Sequence, residues 1–215
     1  MTTQPGTAPT DRLLSPTTSM DAVTLRVGDL EQMTSYYTGA FALAPLEERT
    51  RGGEVHRVLG RGTTPMLRLV HTPGLPAVDP RQAGLFHTAF LFDDATSLAA
   101  TVYRAAQDRR GAFVGSSDHL VSEAFYFTDP EGNGVELYTD RPRETWVHER
   151  GQILMTTTWL DPNAYLRSNL SQDAVDAGPA LFQTFIATWW WYPPADAKSA
   201  PLYSVSVASK PTAST

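Results

Sequence analysis

Between Ala22 and Val27 the chain alternates. Val23, Leu25 and Val27 fall on one side, and Ala22, Thr24 and Arg26 on the other. A period of two is that of a half-buried β-strand. In "GDLEQMTSYYTGAF" the period changes, and Leu30, Met33, Tyr36 and Tyr37 share one helical face. Asp29 is placed to cap that helix, and Gly39 to end it. "GEVHRVLGR" and "PMLRLVHT" predict two short strands parted by Gly, Thr and Pro. The Pro- and Gly-rich connector "PGLPAVDPRQAG" closes the unit.

The order then recurs. "LFHTAFLFDD" predicts a strand and "ATSLAATVYRAAQDRRG" a helix ended by Gly111; "HLVSEAFYFTDP" and "NGVELYT" predict strands joined across the turn "DPEGNG". Asp94 and His87 each lie 65 positions after Asp29 and Ala22, so the two units are in register. Strand, helix and strands, twice over, mark an internal duplication. The predicted fold is α+β, made of two tandem βαβββ modules that form a curved open sheet. Module one spans residues 20–74 and module two residues 85–146, with a connector at 75–84. Residues 1–19, rich in Thr, Ser and Pro, read as a disordered leader. Residues 147–182 read as a linker with one short helix from about Pro162 to Leu170, and residues 183–215 as an irregular tail.

Charge and composition narrow the function. The net charge is −6 with no run of Lys or Arg, so neither nucleic acid nor an anionic membrane is an expected partner. The chain has no Cys, which removes disulfides, thiolate metal ligands and a Cys nucleophile together. Any metal must be held by His, Asp or Glu. No apolar run approaches the roughly 20 residues of a membrane span, and the N-terminus has no secretory pattern, so a cytoplasmic location is expected. "DPEGNG" and "GRGTTP" precede strands rather than helices, and so are hairpin turns rather than phosphate loops. Tyr36, Tyr37, Phe41, Phe86, Phe90, Phe92, Phe125, Tyr126 and Phe127 sit at core or cup-facing spacings.

"VTLRVGDLEQMTSYYTGAF", together with "GLFHTAFLF" and "SDHLVSEAFYFTDPEGNGVELYTDRPRETW", resembles the vicinal oxygen chelate superfamily of glyoxalases, bleomycin resistance proteins and extradiol dioxygenases. The likeness is greatest to the N-terminal half of catechol 2,3-dioxygenase-type proteins and covers residues 20–146. It implies a cup whose metal ligands come from the first and last strands of the modules, with Fe(II) or another divalent metal binding a small aromatic diol. Carried onto this chain, the resemblance puts His87 and Glu136 at ligand positions in module two. The matching positions of module one hold Ala22 (or Thr24) and Arg68, none of which binds a cation, so the implied site is incomplete. His119, in "SDHLVSE", is either a third ligand or proton-transfer group in the same cup, or a turn or strand-edge histidine. His87 is likewise either a ligand or a core histidine paired with Glu136. His56, His71 and His148 have no partner pattern and are expected at the surface.

In four-module relatives the N-terminal pair generally lacks the metal, and the roughly 69 residues after Trp146 are too few for a second pair of modules of about 65 residues each. Trp has one codon, and "FIATWWWY" read one base earlier permits His-x-His-Leu-Val-Val-Val, a metal-binding opening strand. A frameshift between about Leu160 and Phe185 is therefore one reading of the tail; a natural aromatic cluster at Trp189–Trp191 that docks on the cup or on a partner is the other. For function, a metal-dependent extradiol dioxygenase stands against a metal-free module that binds or sequesters a small aromatic compound. A half molecule whose sheet edge is covered by missing modules or by a second copy, as a homodimer, is the third reading.

Overall fold

The computed structural model describes residues 18–77, 79 and 84–173, and the backbone of two later strands, 188–190 and 203–209. Module one runs β1 (Thr18–Val27), α1 (Leu30–Phe41), β2 (Ala44–Arg51), β3 (Glu54–Arg61) and β4 (Thr64–His71). Module two repeats it with β5 (Leu85–Phe92), α2 (Ala95–Gln107), β6 (Ala112–Asp118), β7 (Ser122–Thr128) and β8 (Gly134–Asp140). Short strands β9 (His148–Glu149), β10 (Gln152–Ile153) and β11 (Thr158–Trp159) follow, then helix α3 (Pro162–Asn169). Strands β12 (Thr188–Trp190) and β13 (Tyr203–Ser209) complete the order. The sheet orders are β13-β1-β4-β3-β2 and β11-β6-β7-β8-β5-β12, each module's first strand lying parallel to its last. The leader, and what the Trp189–Trp191 side chains touch, lie outside the described residues. Among the described residues no helix is long and apolar enough to cross a membrane.

The duplication holds at the level of single residues. Thr24 pairs with Arg68 across β1 and β4, and Ala89 pairs with Glu136 across β5 and β8. Arg68 and Glu136 are therefore equivalent positions in the two sheets, three residues further apart in sequence than the 65 that separates the first strands.

Both helices start as predicted, because the Asp29 carboxylate accepts from Gln32 N and the Asp94 carboxylate from Ser97 N. Neither ends where predicted. Gly39 lies inside α1, which runs on through the buried Ala40 and Phe41 and ends at Ala42 in the left-handed region, φ 48°. Burial of Phe41 outweighs the local preference of Gly for a helix end. Helix α2 ends at Asp108, three residues before Gly111. The strands β2 and β6 escape the hydrophobic pattern because their side chains are mostly exposed or half-exposed.

One core joins the modules. Tyr36 meets Tyr37 and Phe41 of α1 edge-on, all three centroids lying 5.4 Å apart, and Phe41 reaches Phe90 of β5 at 5.8 Å. Leu98, Val102 and Ala105 of α2 pack into the same cluster. The turn "DPEGN" then locks module two onto α1. Asp129 accepts from the Tyr37 hydroxyl at 2.9 Å, and the Glu131 carboxylate accepts from Gly28 N and Asp29 N at 2.8–3.1 Å. The helices cover one face of the paired sheets, which leaves the other face for chemistry.

Candidate functional site

On that second face, alternation along β5 and β8 sets His87, Ala89 and Glu136 together, while Phe90 and Leu137 turn into the core. His87 Nε2 lies 2.8 Å from Glu136 Oε2, and both residues are buried. The separation is that of an ion pair, but the direction is not that of a hydrogen bond: His87 Nε2 has no hydrogen-bond partner. Its axis passes beside the carboxylate rather than into it. Gly134 makes this close approach of β5 and β8 feasible, since a Cβ there would lie 2.2 Å from the Phe86 carbonyl oxygen and 3.1 Å from His87 Cβ.

The second oxygen of Glu136 is taken. Tyr126, directly opposite Glu136 on β7, donates its hydroxyl to Oε1 at 3.0 Å. Burial and the neighbouring carboxylate push the Tyr126 phenol well above its ordinary range, so it stays protonated and remains a donor. Tyr138, two residues along β8 from Glu136, is pushed up to about 12 by burial and by Asp140 and Glu136.

His119 sits in the β6–β7 turn, with its Nε2 2.9 Å from the Tyr126 hydroxyl and its Nδ1 2.8 Å from the Thr156 carbonyl. The Thr156 carbonyl can only accept, and the single Tyr126 proton goes to Glu136. The Tyr126 hydroxyl thus links the His119 ring to the Glu136 carboxylate, while His87 Nε2 stands beside that carboxylate without a hydrogen bond.

The residues singled out from sequence divide as follows. His87 and Glu136 come together, and His119 reaches them only through Tyr126. Ala22 is buried, and Arg68 contacts Thr24 and Asp21. Phe86 is 67% exposed and belongs to no core; its ring lies against that of His87, with centroids 4.7 Å apart. Tyr126 was missed as a functional residue. The signal was present: a hairpin centred on Glu131 sets Tyr126 opposite Glu136, so the two share a face.

Does this face fit a divalent metal? The unpartnered His87 Nε2 and Glu136 Oε2 offer two donors at one point. A catalytic ion usually takes three protein ligands. Among the described residues no group of three His, Cys, Asp or Glu is arranged to hold one. These residues do not complete a metal centre.

A family model described as "Glyoxalase/Bleomycin resistance protein/Dioxygenase superfamily" matches residues 19–137. The chain is 35% identical over 139 residues to the catechol-2,3-dioxygenase of Bacillus subtilis, covering 64% of this chain and 47% of that protein. It thus spans about half the length of the curated relative it matches. Among solved structures, the cppA protein of Streptococcus pneumoniae aligns with a TM-score of 0.56 at 13% identity, covering 82% of this chain and 63% of that one. A glyoxalase/bleomycin resistance protein/dioxygenase domain from Frankia aligns at 0.48 and 23% identity, over 56% of this chain and 95% of that one.

Proposed function

We propose, from the premise that this chain belongs to the Glyoxalase/Bleomycin resistance protein/Dioxygenase superfamily, that it is a catechol 2,3-dioxygenase-like protein of the extradiol ring-cleaving kind with an incomplete metal site of its own. The observation that carries this is the buried His87–Glu136 pair, 2.8 Å apart on one face, without a third donor among the described residues. The likeness to the Bacillus catechol-2,3-dioxygenase supports the substrate class, a small aromatic diol. Opening the ring at a Fe(II) or other divalent centre then needs at least one donor from outside the described residues. What this chain contributes is the pair itself and the hydrogen-bonded link from His119 through Tyr126 to Glu136.

Metal content after gentle purification, with catechol turnover measured alongside, tests the reading. About an equivalent per chain with ring cleavage, both lost in His87→Ala, supports the dioxygenase reading; less than about a tenth of an equivalent and no ring cleavage count heavily against it.

One observation favours a second reading. The Tyr126 hydroxyl satisfies one oxygen of Glu136, Oε1, without any cation. The cup would then bind a small aromatic compound as a metal-free module, and such compounds would raise the melting temperature of chelator-treated protein.

A further inference from the structure

Strands β2 and β6 hold the same place in the two modules. Each follows the helix, pairs inward with the next strand, and has a register shift near its start, at Pro45/Glu47 and at Phe113/Gly115. Their chemistry differs. β2 reads "APLEERTR" and carries four charged side chains, Glu47, Glu48, Arg49 and Arg51. Charge on an outer strand keeps it from pairing with another chain. β6 reads "AFVGSSD" and is uncharged until Asp118, its last residue. Phe113 is 46% exposed and Val114 65%. On the outward side of β6, β11 pairs with Ser117 and Asp118, and the Leu160 carbonyl accepts from the Ser116 hydroxyl. Among the described residues no strand pairs outward with residues 112–115. Trp159, where the covered part begins, is 76% exposed. An apolar stretch thus lies along an open ladder, without the charges that guard its counterpart.

We propose that this edge of β6 is a self-association surface, on which a second copy of the chain lays its own β6 antiparallel across a two-fold axis between Phe113 and Val114. The flanking charges select that partner. Asp108, Arg109 and Arg110 precede the strand with a net charge of +1, and Asp118, Glu123 and Arg141 are grouped at its far end with a net charge of −1. An antiparallel copy brings each basic end toward the acidic end of the other, whereas a parallel copy would oppose like with like. The fit in length is equally specific. Four residues against the same four set Phe113 opposite the second copy's Val114, and the pairing stops where each chain's own cover begins. Strand β7 lies between β6 and the strand that carries Glu136, so the surface is separate from the His87–Glu136 pair and does not need a metal.

Sedimentation velocity of the full chain, from about 1 to about 100 μM, tests the proposal. The wild type should dimerise with a dissociation constant of about 10 μM or below. Val114→Lys and Val114→Glu should each weaken the dimer at least about tenfold, because they bring a charge into the apolar seam and like charges near one another across the axis. Both should keep the wild-type circular dichroism, since Val114 is exposed. An equimolar mixture of the two variants should regain a dimer, the charges across the axis now being opposite. Thr50→Lys, on the guarded edge of β2, should leave the wild-type dimer unchanged. A wild type that is monomeric at about 100 μM, a dimer indifferent to both Val114 variants, a mixture that stays monomeric, or a dimer lost in Thr50→Lys would each overturn the assignment.

Discussion

Replacing Tyr37 by Phe removes one oxygen atom, and with it the bond that ties α1 to the "DPEGN" turn. Tyr37 is fully buried and Asp129 nearly so, and their contact is 2.9 Å. The Asp129 carboxylate would not be orphaned, since it also accepts from Glu131 N, Asn133 N and Asn133 Nδ2 at 2.9–3.1 Å. The loss is therefore that of one hydrogen bond to a charged group, about 1.5–3 kcal/mol. For a chain of this size that corresponds to a fall in melting temperature of about 3–12 °C. Tyr36 supplies the internal control. Its hydroxyl reaches the Thr128 carbonyl at a longer 3.4 Å, so Tyr36→Phe should cost well under about 1 kcal/mol. Urea unfolding of both variants, with the slope against urea unchanged, gives the two free energies directly. If Tyr37→Phe costs no more than Tyr36→Phe, the Asp129 bond does not hold the modules together as described.

Two other outcomes are expected. Gly134→Ala would drive a Cβ into the Phe86 carbonyl, a backbone atom that cannot swing aside, and should cost about 1–3 kcal/mol in urea unfolding while separating His87 from Glu136; wild-type stability would show that the β5–β8 spacing is not tight. In acid, Asp118 and Asp108 are held below their ordinary 3.8 by hydrogen bonds from Arg141 and Arg110. Their folded forms bind fewer protons than the unfolded chain, so this stability is present above 3.8 and is lost as the pH falls through the lowered values. Melting temperatures followed downward from about pH 5 should show a shallower fall in Arg141→Met than in the wild type.

What could be read from sequence followed burial. The strands β1, β4, β5 and β8 carry apolar runs because one of their faces meets the helices, and the Asp29 cap was legible as a single residue. Strand β2, "APLEERTR", left no such trace, since nearly all of its side chains face solvent. The helix ends were misread for the opposite reason: Phe41 is held by tertiary contacts that local propensity does not contain. The pairing of His87 with Glu136 was anticipated from family likeness, whereas the part of Tyr126 follows only from hairpin register. The connection from His119 back to Thr156 spans 37 residues and has no local signature.

The turn that follows β7 grips α1 twice, through Asp129 and through Glu131, and both grips cross the boundary between the repeats. Natural or laboratory recombination that exchanges one repeat for that of a cousin would therefore split a lock from its key, even where each fragment is sound. Donors compatible with this chain are those that bring a tyrosine at the helix position and an acidic pair in the turn as a matched set.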